Sequence, residues 1–480
     1  MKKLLLLSIS LLFFCNTAFA ALNAAIVWEV RSDGNSANGG GYKTGATGTD
    51  FSQQTSPQYA LTGCTTAAAD AIILNANAAA DMVGNILYIV SGTNFTVGWY
   101  EIISVSVGVS ITVDRTCTTA AGADGVVNVG GATNHPNTIS AVVVAGNDIY
   151  IKSGTYQPVG ANVYVFSTAV NGTPALPIRF IGYSATRNDT PTGTNRPLFD
   201  ANSVVGSDVV VITHSDYNWF NLRFANAADD GINANSYSSD RGFFYNCKIS
   251  NNASDGVLWV EIQKIVNCEI NNNTAYGINA GDRQGYAEFT YIHDNGSAGL
   301  RGENNISIFA RYVVSESNSS HGFVSGGTGA KFDVWNCVAY NNTGAATDGF
   351  NVNYSGTLIG VSGIIINCSS ISNGRYAYND VDGYTRLHIF NYNNYYGHAT
   401  ELNGFTAGAN DTGDVDPLFT APTTGDFTLQ TGSPCLGTGA DANIPPTGLT
   451  GDYKLNIGVD QDDVTAAGAG GARGARFLIQ

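Results

Sequence analysis

Short apolar runs alternate with polar residues along most of this chain. In Cys247-Lys248-Ile249 and Cys268-Glu269-Ile270 the apolar side chains stand two positions apart, and such runs last three to five residues before Asn or Gly interrupts them. A period of two is that of a β-strand, whereas an amphipathic helix has a period near 3.6. The pattern therefore predicts short strands and excludes a helical repeat.

The strands belong to a repeat marked by asparagine. The marker residues recur at steps of 21 to 26 residues, and Gly with an apolar partner follows each one, as in Gly256-Val257 and Gly277-Ile278. A repeat of this length predicts a solenoid whose coils stack about 4.8 Å apart. Asn tolerates a left-handed turn, and its amide can bond to the Asn of the next coil. The markers are Asn226, Asn252, Asn273, Asn295, Asn318 and Asn342.

The unit resembles the repeat of right-handed parallel β-helix proteins, Cys-x-Ile-x-x-Asn followed closely by Gly-Ile. The likeness is clear from Asn218 to Asn373. It implies an all-β fold, a right-handed parallel β-helix solenoid with an N-terminal β-rich cap and a C-terminal β cap. That family includes pectate and alginate lyases, polygalacturonases, epimerases, phage tailspikes and adhesins. The resemblance implies a bias towards glycans and no particular reaction.

The chain divides where the repeat starts and stops. Residues 1–20 have a charged start, an apolar core and Ala18-Phe19-Ala20, which predicts a signal peptide and a secreted or cell-surface protein. The remaining predicted segments are an N-terminal β-rich cap at 21–140, the β-helix at 141–400, a C-terminal cap at 401–465 and a Gly/Ala-rich tail at 466–480. A loop at 184–197, rich in Pro and Gly, is expected to project from the early coils.

Charge and hydropathy exclude two classes of partner. The net charge is −16, and removing residues 1–20 removes Lys2 and Lys3 and no acid, which gives −18. Such a surface repels nucleic acid, and it repels acidic glycans unless divalent cations or arginines intervene. After residue 20 no segment approaches the roughly 20 apolar residues of a transmembrane helix. We therefore expect a polysaccharide or cell-surface glycan as partner, with no nucleic acid and no membrane span.

Cysteine usage fits an apolar role. Four of the seven cysteines after residue 20 take the same repeat position, so we predict that they point inward as small apolar side chains. Cys64 and Cys117 lie in one N-terminal segment and can pair in an oxidising compartment. No Cys-x-x-Cys pair supports a zinc site. The four repeat cysteines are Cys247, Cys268, Cys337 and Cys368.

An acidic column is the candidate metal site. Asp240, Glu261, Asp282 and Glu303 are each 21 residues apart, so they are expected to stack on one edge of the coils. Carboxylates about 5 Å apart repel each other unless solvated, paired or bridged by a cation. The functional interpretation is a Ca²⁺ site; the alternative is a solvated acidic turn neutralised by arginines. No other cofactor is indicated.

Candidate catalytic residues are Asp229, Asp230, Arg241 and Arg283. Asp229-Asp230-Gly231 is similar to the paired aspartates of polygalacturonases, which serve as acid and base. The Asn-Thr-Asp, Gly-His-Gly and Arg-x-Lys companions of that family are absent. Asp before Gly is also ordinary turn chemistry. Uronate lyases of this fold use Arg or Lys as base beside Ca²⁺ carboxylates, which the resemblance would assign to an arginine such as Arg241 or Arg283.

Tyr392, Tyr395 and Tyr396 are the candidate glycan-binding aromatics; the alternative is that they cover the end of the core. Two functions follow from these observations. The first is a non-catalytic exported protein that binds glycans or surfaces, as an adhesin or matrix protein does, and the lack of a complete catalytic set favours it. The second is a polysaccharide lyase, glycoside hydrolase or epimerase with a groove site between Asp230 and Glu303.

Overall fold

The structure is a computed structural model. It describes residues 22–160, 162–236, 241–259, 263–281, 285–303, 307–327, 331–344, 346–354, 361–381, 387–440 and 458. The predicted signal peptide, the end of the predicted C-terminal cap and the Gly/Ala-rich tail lie outside these ranges.

Three long sheets form the body of the protein, and each coil contributes one strand to each sheet in turn. Coil-to-coil pairing is parallel and in register, as in Phe224 with Ile249 and Ile249 with Ile270. This is the predicted right-handed parallel β-helix. The first sheet contains Gly41–Lys43, Ile26–Val30, Asp148–Lys152, Ile178–Tyr183, Tyr217–Phe220, Gly242–Tyr245, Gln263–Val266, Gly285–Glu288, Ser307–Arg311, Lys331–Trp335, Val361–Ile366 and Leu387–Asn391.

The second sheet has the shortest strands of the body, mostly of three residues. Its members are Thr155–Tyr156, Leu198–Asp200, Arg223–Ala225, Lys248–Ser250, Glu269–Asn271, Tyr291–His293, Val314–Glu316, Val338–Tyr340, Ser369–Ile371, Asn394–Tyr396 and Gly413–Asp414. The third sheet contains Phe166–Ser167, Val210–Val211, Ile232–Ala234, Val257–Trp259, Ile278–Ala280, Leu300–Glu303, Phe323–Gly327, Phe350–Tyr354, Tyr376–Asp380 and Thr400–Asn403.

Single left-handed residues turn the chain on both sides of the second sheet. Asn246 (φ 53°) precedes the strand Lys248–Ser250 and Asn251 (φ 60°) follows it. Asn accepts this conformation at less cost than most residues with a Cβ atom. The turns are sharp enough to leave three-residue strands between them, which explains the close spacing of Asn in the sequence.

The asparagine ladder runs from Asn252 to Asn373 in the core of the turn. Each Nδ2 donates to the Oδ1 of the next ladder Asn, at 2.8 Å for the pair Asn252 and Asn273. The prediction that Asn226 begins the ladder is wrong, because the register pairs Ala225 with Ser250 and so aligns Asn226 with the left-handed Asn251. The residue at the ladder position of that coil is Ala227, whose N–H donates to Asn252 Oδ1 at 3.0 Å.

The space between the sheets is filled by aromatic and β-branched side chains. Trp219 stacks on Phe180 with ring centroids 4.4 Å apart and lies 6.0 Å from Phe244. The four repeat cysteines are buried in the same core as free thiols, as predicted. Parallel coils therefore use Cys as a small apolar residue beside the turn.

The predicted N-terminal cap contains an antiparallel sheet with its own core. Cys64 and Cys117 are buried in that core as free thiols. Cys64 Sγ accepts a hydrogen bond from Asn75 and Cys117 Sγ donates to the Asp70 carbonyl, so the two do not form the disulfide considered above. The strands, in sheet order, are Tyr59–Cys64, Thr118–Val129, Ile86–Phe95, Gly98–Ser106, Ser110–Val113 and Ile72–Leu74. The 3₁₀ turns among the described residues are Ala80–Met82, Pro136–Ile139, Gly193–Asn195 and Pro422–Thr424.

The loop at 184–197 folds back on the molecule instead of projecting. Asp189 accepts three backbone N–H bonds, from residues 184, 185 and 186. Arg187 reaches the N-terminal segment, where its Nε lies 2.7 Å from Glu29 Oε2 and its Nη1 lies 3.0 Å from Asp50 Oδ2. Glu29 is fully buried, so this arginine ties the first strand to the early coils.

The hairpin of strands Phe419–Ala421 and Asp426–Leu429 packs on the side of the solenoid. Phe427 contacts Phe419 and Tyr340, and the hairpin core includes Val314 and Val338 of the second sheet. We expected residues 401–465 to close the last coil; Phe405 of this segment does pack on the core beside Phe390, whereas the hairpin covers an outer face. Among the residues described, no helix is long and apolar enough to cross a membrane.

Candidate functional site

Three aspartates converge where the early coils enter the third sheet. The register pairs Val210 with Ile232, so Asp208 and Asp230 hold the same position on neighbouring coils, and Asp229 precedes the second of them. One carboxylate oxygen from each of the three lies within 4.8 Å of the others. Asp230 is buried, Asp208 is partly buried and Asp229 is exposed. The cluster therefore opens to solvent on one side.

Hydrogen bonds from neighbouring coils hold the two inner carboxylates. Asp208 Oδ1 accepts the Asp230 N–H at 3.0 Å, and its Oδ2 accepts Asn233 Nδ2 at 3.0 Å. Asp230 Oδ1 accepts the Asp255 N–H at 2.9 Å. Each aspartate thus caps the backbone of the following coil, and the coil stacking fixes its orientation.

The surroundings of the cluster oppose ionisation of its carboxylates. Burial, with the charges of Asp255 and Asp229, raises the pKa of Asp230 to about 7, although hydrogen bonds from Asp255 N–H and Ser254 act against the rise. Burial and the charge of Asp229 also raise the pKa of Asp208. Within the part of the chain that the structure describes, none of these three carboxylates forms an ion pair.

A later member of the same column shows the contrast. Asp348 also precedes the repeat Gly, and Arg375 pairs with it through two bonds of 3.0 and 2.8 Å. Burial opposes ionisation there, yet the bonds from Arg375, Asn379 and Asn351 hold the pKa of Asp348 below its usual value. An arginine therefore neutralises the carboxylate of Asp348. The carboxylates of Asp208, Asp229 and Asp230 have no such ion pair among the described residues.

The geometry of the cluster fits a hard divalent cation. Ca²⁺ binds oxygen ligands at about 2.4 Å, so two oxygens on one ion lie at most about 4.8 Å apart. Three carboxylates meet this limit, and the exposed side leaves room for water as the remaining ligands. The cation would also favour the ionised form of Asp230, against the burial and the neighbouring carboxylates that raise its pKa.

Arg301 lies on the same face as the cluster. The outward column of the third sheet runs from Asn233 through Leu258 and Asn279 to Arg301. The Arg301 guanidinium lies over the Tyr276 ring at 4.6 Å and pairs with Glu303. Its charge opposes the burial that raises the pKa of Asp255. Arg301 is thus about three coil spacings, or roughly 14 Å, from Asn233.

The predicted acidic column is described only at its end. Asp240, Glu261 and Asp282 lie outside the described residues, and Glu303 is paired with Arg301. Whether the four carboxylates share a Ca²⁺ ion stays a prediction.

The predicted catalytic residues separate into two places. Asp229 and Asp230 belong to the cluster with Asp208. Arg241 lies at another turn, where its Nε and Nη2 donate to Asp216 at 2.7 and 2.8 Å. Arg283 lies outside the described residues.

The three candidate tyrosines do not form one surface. Tyr395 is 8% exposed and its ring lies 6.3 Å from that of Tyr378 in the core, whereas Tyr396 is 36% exposed. Tyr392 has left-handed backbone and lines a cleft of about 390 Å³ with Asp411. Tyr396 is the most accessible of the three, and their role in binding glycans stays a prediction.

Asp208 is the site residue that the sequence did not single out. Its coil has Val209 where the next coil has the repeat residue Gly231, so the repeat pattern does not reveal it. The available signal was Asp208 followed at the second position by Val210, which matches Asp230 and Ile232 at a step of 22 residues.

Comparisons with known proteins identify the fold. No protein-family model and no curated protein sequence matches the chain. The structure of pectate lyase Pel9A is similar, with a TM-score of 0.55 and 16% identity over 69% of this chain and 91% of that one. The Agl-KA catalytic domain has a TM-score of 0.26, with 13% identity over 78% of this chain and 92% of that one, which is too low to indicate a shared fold. The chain therefore has the parallel β-helix fold that pectate lyase Pel9A also has.

Proposed function

We propose that this protein is an exported, calcium-dependent lyase of an acidic polysaccharide. The observation that carries the proposal is the convergence of Asp208, Asp229 and Asp230 within 4.8 Å. The likeness to pectate lyase Pel9A supports it through the fold alone, because the identity is 16%. The predicted signal peptide at residues 1–20 supports export.

The overall charge favours a metal-assisted site. A chain of net charge −16 repels a polyuronate. Asp208, Asp229 and Asp230 would hold the ion, with Asn233 and the Asp255 N–H fixing the two inner carboxylates. Bound there, Ca²⁺ would offset the carboxylate charge of a uronate and favour loss of the proton from the adjacent carbon.

Arg301 is the second anchor that we assign to this site. It lies in the outward column of the third sheet, and stacking on Tyr276 limits the motion of its guanidinium. At roughly 14 Å from Asn233 it would donate to a sugar further along the same polysaccharide. Substrate would therefore lie along the coil axis on this face.

The test measures metal and activity separately. Calorimetry with CaCl₂ is expected to show one site that Asp229→Asn weakens at least about tenfold, because a charged ligand is lost. Asp229 is exposed, so its replacement should leave the fold intact. The matched control is Asp414→Asn, an exposed aspartate on the second sheet, which should bind Ca²⁺ as the parent does.

Activity is read as ultraviolet absorbance of unsaturated products from polygalacturonate and alginate. We expect product with Ca²⁺, none with EDTA, and a large loss in Asp229→Asn. Calcium binding without product from either polysaccharide would overturn the lyase and leave the non-catalytic glycan-binding protein. Product that persists in EDTA would overturn the metal centre.

A further inference from the structure

The outer face of the first sheet carries two groups of aromatic rings, separated by the coil of Lys264 and Val266. Two outward columns place a ring on most coils between Phe220 and Trp335. Five coil spacings separate these two residues, which makes the face about 24 Å long. This aromatic face consists of Phe220, Phe243, Tyr245, Tyr286, Phe309 and Trp335.

Several of the rings contact one another, and all six side chains are at least partly exposed. Phe243 and Tyr245 have ring centroids 6.2 Å apart with planes 24° from parallel, and Phe220 lies 5.7 Å from Phe243. Further along, Tyr286 stacks on Phe309 at 4.8 Å and 11°. Tyr245 is 40% exposed. Parallel coils in register thus present a row of partly exposed rings.

The described charged side chains in these two columns are paired with each other. Lys264 Nζ lies 2.9 Å from Glu288 Oε2, and Arg311 Nη2 lies 2.8 Å from Asp333 Oδ1. Arg311 also lies over the Trp335 ring at 5.3 Å, and Trp335 Nε1 donates to Asp333 at 2.5 Å. Between the rings, the face therefore offers hydrogen-bonding groups whose charges are locally balanced.

We propose that the aromatic face binds a strand of neutral polysaccharide. Sugar rings present apolar C–H faces that pack on aromatic rings and hydroxyls that bond to polar groups between them, which is the composition of this face. A linear polymer of repeating sugars also matches a linear row of repeating rings. The site lies on a different sheet from the Asp208, Asp229 and Asp230 cluster, so it does not depend on the proposed lyase activity.

Charge favours a neutral polysaccharide on the aromatic face over an acidic polymer or a second copy of this chain. Among the described residues of these two columns, the ion pairs leave an acidic polymer no unpaired cation on which to bind. A second copy of this chain would bring another net charge of −16 against the first, which opposes self-association. A neutral glycan carries no such cost.

The experiment is sedimentation of the full chain with insoluble cellulose, xylan, mannan and α-1,3-glucan at high salt, with EDTA present. We expect binding to at least one of them that salt does not weaken, because stacking is not screened. Tyr245→Ala should weaken binding about three- to tenfold, while Tyr245→Phe, which keeps the ring, should retain it.

The matched control is Ile103→Ala. Ile103 has similar exposure, 49% against 40%, and lies on the N-terminal antiparallel sheet. Equal losses in Tyr245→Ala and Ile103→Ala, or no binding to any of the four glycans, would overturn the proposal. So would sedimentation velocity showing a dimer that Tyr245→Ala dissociates, because the face would then join two copies. These results are independent of the Ca²⁺ and product assays.

Discussion

Oδ1 of Asn273 accepts two hydrogen bonds from Asn252, one from the side-chain amide at 2.8 Å and one from the backbone N–H at 3.2 Å. The same double contact recurs at each step from Asn252 to Asn373. Because these asparagines are buried, each one satisfies groups of its neighbours that water cannot reach. Each asparagine of the ladder therefore depends on the next one for its hydrogen bonds.

Asn295→Ala should destabilise the protein by about 2–3 kcal/mol, because the N–H and amide of Asn273 lose their acceptor inside the core. Differential scanning calorimetry measures the change. Asn410→Ala is the control: Asn410 is exposed and only its backbone bonds to Asn391, so we expect less than about 0.5 kcal/mol. Equal losses of stability in the two variants would show that a ladder asparagine contributes no more than an exposed one.

Arg187→Met should cost about 3 kcal/mol because it leaves the buried Glu29 carboxylate without its cation. Adding Glu29→Gln to this variant should restore part of the loss, since the uncompensated charge disappears. Arg179→Ala, which breaks the more exposed pair with Asp148, should cost less than about 1 kcal/mol. Urea denaturation gives the three values; no recovery in the double variant would contradict the explanation.

The pair His293 and Glu269 predicts a window of maximal stability in pH. Although burial opposes both effects, bonds from His293 and Lys248 lower the pKa of Glu269 to about 2, and bonds to Glu269 and Asp294 raise the pKa of His293 above 6.5. The Glu269 contribution is present above 4.5 and is lost as the pH falls towards about 2. The His293 contribution is present below 6.5 and is lost as the pH rises through its raised pKa.

His293→Gln is expected to cost on the order of 1 kcal/mol below pH 6.5 and progressively less above it. Thermal melts of the parent and the variant from acid to alkaline pH measure this difference. A constant difference across the range would mean that the charge of His293 does not contribute.

Asp230→Asn should stabilise the calcium-free protein at alkaline pH by on the order of 1–3 kcal/mol, because it removes a buried charge whose pKa is about 7. The folded pKa lies above the ordinary 3.8, so stability present below 3.8 is lost as the pH rises through about 7. The variant keeps an oxygen to accept the Asp255 N–H. It should also lose the rise in Tm that Ca²⁺ gives the parent; a variant that keeps this rise would argue against Asp230 as a ligand.

Phe427→Ala should release the C-terminal hairpin without unfolding the coils, because its ring contacts Phe419 and Tyr340 in a small core of its own. The expected cost of about 3 kcal/mol falls on the docking of the hairpin. Limited proteolysis should cut the variant faster within 419–436 while the main melting transition stays in place. Loss of both together would show that hairpin and coils unfold as one unit.

The fold was predictable because its causes are local. Asn at the turns, Gly before the third sheet and one small apolar residue beside the turn appear in the sequence at nearly constant spacing, and the structure confirms the coils that they predict. The ladder was misplaced by one residue at Asn226, because two asparagines lie side by side in later coils, such as Asn251 and Asn252, and have different roles. Only the pairing register separates them.

Only two of the three residues of the candidate site could be predicted from the sequence, for the same reason. Asp229 and Asp230 stand together in the sequence, but Asp208 joins them through coil stacking and carries no marker of its own. The lateral position of the hairpin could not be predicted either. In the sequence, Val314 and Val338 look like ordinary strand residues, and only the structure shows that the hairpin covers them. Long-range packing decided both outcomes.

The ladder contacts keep their lengths while the coils do not. Successive ladder asparagines are 21 residues apart at Asn252 and Asn273 but 31 apart at Asn342 and Asn373, and both pairs bond at 2.8 Å. Additional residues are thus accommodated away from the ladder without disturbing the stack. New loops can therefore be inserted or lengthened between coils during evolution or engineering, which makes this chain a modular scaffold for building recognition surfaces.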